Sequence, residues 1–155
     1  MSKQRILVVA NRTADSPELI AGLRRRGTET PARYTLLVPA VPWGLAWAAD
    51  MKAGWAVAIA RAEAAAERIR RSGLGFDGAI VGDPDPLAAV GDVLHAREFD
   101  EVIVSTLPRG ISRWLRLSLP SRLRRATDLP VTQMTVHPPP EPPARRLHEL
   151  VGAPS

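Results

Sequence analysis

The order of segments predicts an α/β protein: a three-layer α/β/α open sheet of five mostly parallel strands. Three observations point to it. Four short runs are predominantly apolar, as expected when helices cover both faces of a sheet, and a fifth, VTQMTV, is more mixed. The stretches between them repeat apolar residues at helical spacing. Pro, Gly, Asp and Ser gather at the joints, where the chain must turn. Right-handed crossovers leave few topologies for such a chain, and ligands of such sheets bind beyond the carboxyl ends of the strands, where strand order reverses.

Arg5–Ala10 (RILVVA) is the first predicted strand. Asn11, Arg12 and Thr13 leave it. Asp15 or Ser16, with Pro17, then opens a helix that Gly27 should stop near Arg26. Tyr34–Val38 is the second strand, halted by Pro39 and Pro42. The loop from Pro39 to Asp50 carries Trp43 and Trp47, read as packing residues. Asp50 caps a long helix from about Met51 to Arg71, where Trp55, Ile59, Ala62, Ala66 and Ile69 recur at helical spacing and define one buried face. Gly73 and Gly75 end it. Phe76–Val81 is the third strand, followed by the tight turn Gly82-Asp83-Pro84-Asp85-Pro86. Leu87–Ala96 is a helix with Leu87, Val90, Val93 and Leu94 as its stripe. Phe99-Asp100 introduces the fourth strand, Val102–Ser105. A Pro/Gly loop leads to a basic helix with Ser118 as N-cap and Pro120 in its first turn, where a missing N–H costs nothing. Val131–Val136 is the fifth strand. Residues 1–137 thus form one α/β domain, and 138–155 (PPPEPPARRLHELVGAPS) are expected to be a flexible Pro-rich appendage.

Composition bounds the chemistry. There is no cysteine, which removes disulfides, thiolate catalysis and Cys-type zinc sites, and a cytoplasmic location is the simplest expectation. No run of about 18 apolar residues occurs, so no membrane span is expected. The N-terminal MSKQRILVV is too short in its apolar run for a signal segment. A net charge of +5 raises the question of nucleic acid. The basic residues are spread along the chain and aromatics are only 5%, too few for a stacking platform, so solvated helix faces account for the charge. Asp83 and Asp85 underfill a cation shell and suit a turn and helix cap. His95, His137 and His148 lack ligand spacing, and Ser105 and Ser118 have no identifiable base; no metal and no catalytic residue is expected.

The stretch AIVGDPDPLAAVGDVLHAREFDEVIVS (79–105) and the stretch SRWLRLSLPSRLRRATDLPVTQM (112–134) resemble the universal stress protein family in ordered sequence, and the likeness covers nearly everything from Arg5 to Val136. It implies a Rossmann-like adenine nucleotide alpha hydrolase fold with strand order 3-2-1-4-5. It also implies a homodimer formed along strand five, with Val131, Gln133, Met134 and Val136 at the interface. A nucleotide would then lie against Ala10, Asn11, Val38, Gly82 and Pro84, and Thr106, Arg109, Gly110, Arg113 and Ser118 are the residues that could meet its phosphates.

The chain departs from the family where the ligand would sit. An Asp after strand one becomes Asn11, and Arg12-Thr13 replaces a Gly-Ser pair. The phosphate loop G-x2-G-x9-G-[ST] reads Ser105, Pro108 and Leu117 at its glycine positions, keeps Ser118, and is one residue short. Pro108 removes an N–H, and Leu117 adds bulk where backbone should approach an anion. The expected function is therefore a non-enzymatic, homodimeric, universal-stress-type binding domain with ATP binding lost or weakened, and with protein partners unidentified. One alternative keeps an adenine nucleotide, ATP with magnesium or AMP, through side chains such as Thr106, Arg109 and Ser118, with slow hydrolysis. The other is a basic patch, Arg109–Arg125, binding nucleic acid or an acidic partner.

Overall fold

The computed structural model describes residues 2–40, 51–108 and 119–137. Their order is β1 (Gln4–Val9), α1 (Pro17–Glu29), β2 (Ala32–Pro39), α2 (Met51–Arg71), β3 (Phe76–Gly82), α3 (Pro86–Ala96), β4 (Glu101–Thr106), α4 (Leu119–Ala126) and β5 (Val131–Thr135). The five strands form one sheet in the order β3-β2-β1-β4-β5. Every pairing is parallel, so the expectation of a mostly parallel sheet is met in full.

β1 is the centre. Its side chains alternate between two cores, as the two-residue strand period requires. Ile6 and Val8 pack with Leu19 and Leu23 of α1, Leu36 and Val38 of β2, and Ala58, Ala62, Ala65 and Ile69 of α2. Leu7 and Val9 pack on the other face with Leu37, with Ala89, Val90 and Val93 of α3, and with Leu119 and Leu123 of α4. Each buried Leu, Ile or Val is worth about 1.5–3 kcal/mol relative to exposure. Asp100 fastens the entry of β4 beside β1: its N–H donates to the Arg5 carbonyl at 2.7 Å, and Oδ2 accepts from the Arg5 N–H at 2.8 Å.

Several boundaries differ from expectation. α1 runs through Gly27 to Glu29, because Leu19 and Leu23 dock it on the sheet and one partly buried glycine costs about 1 kcal/mol, less than that packing. β2 and β4 extend past the apolar runs at both ends, and β3 through Gly82, since backbone pairing does not need an apolar side chain. In α2, Ile59 is 45% exposed rather than buried; Ala58 and Ala65 share the sheet-facing stripe with Ala62, Ala66 and Ile69. Small side chains let α2 lie close, and the stripe rotates away from Ile59. Gly73, with φ 81°, turns the chain after α2 in a conformation that favours glycine. Trp43, Trp47, Asp50 and 138–155 lie outside the described residues. No helix among the described residues is long and apolar enough to cross a membrane.

Gly82 illustrates how tightly α3 sits on the sheet. A Cβ there would lie 2.9 Å from both Ala89 Cβ and Leu37 Cδ1, whereas one at Gly91, on the open side of α3, would meet nothing within 4 Å. Gly82→Ala should lose about 1–3 kcal/mol through overpacking. Gly91→Ala should gain about 0.5–1 kcal/mol by helix propensity. Urea unfolding of the two variants checks this, and equal effects would refute the packing assignment.

Candidate functional site

The order of strands reverses at β1, which places the crevice beyond the carboxyl ends of β1 and its neighbours. The loop between β1 and α1 runs at that end of the sheet. Thr13, Ala14 and Ser16 are buried there at 2%, 1% and 1% exposure. Thr13 Oγ1 and Ser105 Oγ share a hydrogen bond of 2.6 Å across the switch point, joining the loop after β1 to the end of β4.

Asn11 sits at the other side of the crevice and is committed twice. Its Nδ2 donates to the Pro39 carbonyl at 2.7 Å, and its Oδ1 accepts from Arg61 Nη1 at 2.6 Å. A carbonyl only accepts and a guanidinium only donates, so these partners fix which end of the amide is which. Burial pushes the pKa of Arg61 down; nearby Asp15 opposes that shift and nearby Arg12 adds to it. The same corner is tied by backbone. The Ala10 N–H donates to the Leu37 carbonyl and the Ala40 N–H to the Gly82 carbonyl, both at 3.0 Å.

The remaining expected residues are placed unevenly. Val38 is fully buried in the core and does not face the crevice. Pro84 is half-buried in the turn before α3. Gly82 lies at the end of β3 and owes its missing side chain to α3. Thr106 is buried at the end of β4, where its hydroxyl accepts from Gln133 Nε2 at 3.1 Å. Arg109, Gly110, Arg113 and Ser118, and with them the phosphate-loop positions Pro108–Ser118 beyond its first member, fall outside the described residues except for Pro108 itself. Asp83 and Asp85 behave as turn and cap: Asp85 N–H donates to Asp83 Oδ1 at 2.8 Å and Leu87 N–H to Asp85 Oδ1 at 3.0 Å. No cluster of metal-ligating side chains occurs among the described residues.

β5 lies at an edge of the sheet. The Pro130 carbonyl accepts from Val102 and the Val136 N–H donates to Thr106, so even-numbered backbone groups pair with β4 and those of Val131, Gln133 and Thr135 point outward. Val136 is buried. Met134 is half-buried against α1, and a side chain at Gly22 would collide with its thioether. Both side chains therefore serve the core of their own chain, while among the described residues no strand pairs with the outer side of β5.

A clasp that the motifs did not reveal closes the same end of the molecule. Ser16 Oγ caps α1 by accepting from the Glu18 N–H at 3.3 Å and donates to the His137 carbonyl at 2.7 Å. The His137 N–H donates to Glu18 Oε2 at 3.0 Å, and its Nδ1 lies 3.0 Å from both carboxylate oxygens. Arg61 was also missed. Its signal was faint: residues 53–60 carry no charge, so Arg61 is the first charged side chain that α2 offers beyond them.

An all-parallel sheet in the order β3-β2-β1-β4-β5, covered by helices on both faces, is an open, doubly wound α/β fold. No family model and no curated protein matches the sequence. Solved structures do match. A universal stress protein family protein from Arabidopsis thaliana, with AMP bound, is 15% identical over 86% of this chain and 92% of that one, at a TM-score of 0.58. A universal stress protein from Archaeoglobus fulgidus is 13% identical over 86% and 98%, at 0.53. The chain has the fold of the universal stress protein structures.

The clasp has a pH signature. The His137 backbone N–H, then its side chain, holds the Glu18 carboxyl below the usual glutamate range. A lowered folded-state pKa contributes stability above the unfolded value and loses it as pH falls through the folded one. Glu18→Gln should therefore melt below wild type near neutral pH, and the gap should close below about pH 4.3. Paired thermal melts across that range check it.

Proposed function

We propose that the chain is a divergent universal-stress-type binding domain, non-enzymatic and homodimeric, in which ATP binding is weakened or lost. One observation carries the reading: buried Thr13 hydrogen-bonds Ser105 across the switch point, tying the loop after β1 to the end of β4. The similar Arabidopsis protein holds AMP. In this chain the first glycine position of the phosphate loop is instead Ser105, whose hydroxyl is already satisfied. A ligand must break that bond and leave two hydroxyls to find new partners, at about 1–3 kcal/mol for each left unpaired.

Calorimetry of the ligand-free protein with ATP and magnesium, then AMP, tests this. No heat and no thermal shift at millimolar nucleotide is the expected result. Micromolar ATP binding, weakened by Arg109→Ala and Ser118→Ala, would replace it with the reading in which side chains hold the phosphates.

Dimerisation is proposed through the outward backbone of β5, since an open edge is otherwise a template for uncontrolled pairing. Thr135→Pro removes one outward N–H while leaving the ladder to β4 intact. Light scattering should show a dimer for wild type and a monomer for Thr135→Pro. A variant that stays dimeric would exclude this edge. Met134→Asp is a poorer probe, because it also injures the core.

A further inference from the structure

We infer that α1 and α2 together present a basic face that binds the phosphate backbone of duplex nucleic acid, without sequence selection. It uses none of the crevice residues and stands apart from the reading above. In sequence the basic residues look scattered, and on that ground they read as solvated helix faces. The fold gathers two of the runs. Leu23 and Ile69 are buried in one core at 0% and 1% exposure, which seats α1 and α2 side by side on one face of the sheet. Arg24 follows Leu23, and Arg68 precedes Ile69. Arg24 Nη2 donates across to the Ser72 carbonyl, 48 residues on, at 3.0 Å, and Arg68 Nη1 donates to the Asp15 carbonyl at 2.9 Å. Arg24, Arg25, Arg68 and Arg71 are all exposed.

A carbonyl takes one guanidinium N–H and carries no net charge, so these bonds position Arg24 and Arg68 without neutralising them. Of the acids on the two helices, Glu18 is clasped by His137, and Glu67 forms an exposed 2.8 Å pair with Arg71 that is screened and weak. Glu29 and Glu63 are the others, so the cations outnumber their opposition. A helix dipole attracts cations to the C-terminal turn, which accounts for Arg68 and Arg71. Arg24 and Arg25 lie ahead of the last turn of α1, and the dipole does not explain them.

Duplex phosphate suits this face better than an acidic protein or a lipid surface. Guanidinium forks match phosphate oxygens two at a time, and rigid helices present several forks together. Among the described residues the exposed large hydrophobics are Val57 and Ile59, toward the other end of α2. The basic face therefore lacks the apolar anchor that a protein partner or a bilayer would use. Arg70 covers the Phe76 ring, 5.3 Å from its centroid, so unstacked bases of a single strand find no platform there.

Fluorescence anisotropy of the full chain with a labelled random-sequence duplex, from about 50 to 200 mM salt, tests this. Binding in the micromolar range at the low-salt end is expected. The plot of log affinity against log salt should have a slope of about −3, as three to four neutralised phosphates require. Arg24→Glu with Arg68→Glu should weaken binding about tenfold or more and flatten the slope by about two. Arg122→Glu with Arg125→Glu makes the same change in net charge on α4, which packs on the other face of the sheet through Leu123. That control should stay within about threefold of wild type. Equal losses in the two pairs would overturn the inference, since net charge and not this face would then bind. Undetectable or salt-independent duplex binding would overturn it too. So would tighter binding to a single strand, to polyglutamate or to anionic phosphatidylserine vesicles than to the duplex. If the Arg24 and Arg68 pair does not fold, Arg25→Glu replaces it and should flatten the slope by about one; an unchanged slope would count against the face.

Discussion

A parallel sheet exposes apolar side chains on both faces, and everything in this fold follows from covering β1 on both sides. Ile6 and Val8 need α1 and α2; Leu7 and Val9 need α3 and α4. Neither layer is dispensable, because the same strand backbone carries both sets of side chains. Once β1 is held between β2 and β4, every strand's carboxyl end opens on the same side. The loops that leave those ends are then forced together, whatever their sequences.

Forcing them together sets the chemistry of the crevice. Buried polar groups must be paired, and those at this end of the sheet pair across elements far apart in the chain. Asn11 binds Pro39 and Arg61, Thr13 binds Ser105, Thr106 binds Gln133, and Ser16 binds His137. These bonds stabilise the end of the sheet and compete with any ligand for the same donors and acceptors.

The opposite end of the sheet shows the same pressure without a ligand. Glu101, 7% exposed, accepts from Arg26 Nη2 at 2.6 Å and Nε at 3.0 Å, and from Thr132 Oγ1 at 2.9 Å. Arg26 also donates to Gln4 at 2.6 Å, and its pairing with Glu101 raises its pKa. A buried ion pair is weak evidence for net stability, since desolvation offsets attraction. Losing one partner is costly, however. The network therefore holds edge strand β5, through Thr132, to β4 and α1. The outer edge of the sheet at β5 is consequently a firm one.

Much of this was legible from residue type and order. Strand and helix existence, the Ser16 and Asp85 caps, and the parallel sheet are local or periodic properties, written in apolar runs and cap residues. The ends of elements were not, as at Gly27 and Ile59, because docking on the sheet overrides a local stop signal or rotates a helical stripe. At the site, the sequence by itself determined that Asn11 and Ser105 stand at the switch point and that Pro108 breaks the glycine pattern. Only the tertiary structure decided that Thr13 meets Ser105, that Arg61 turns to Asn11 and that His137 is clasped by Glu18. These partners lie 92, 50 and 119 residues apart. No local pattern encodes such pairs; they exist because β1, covered on both faces, brings the loops to one end.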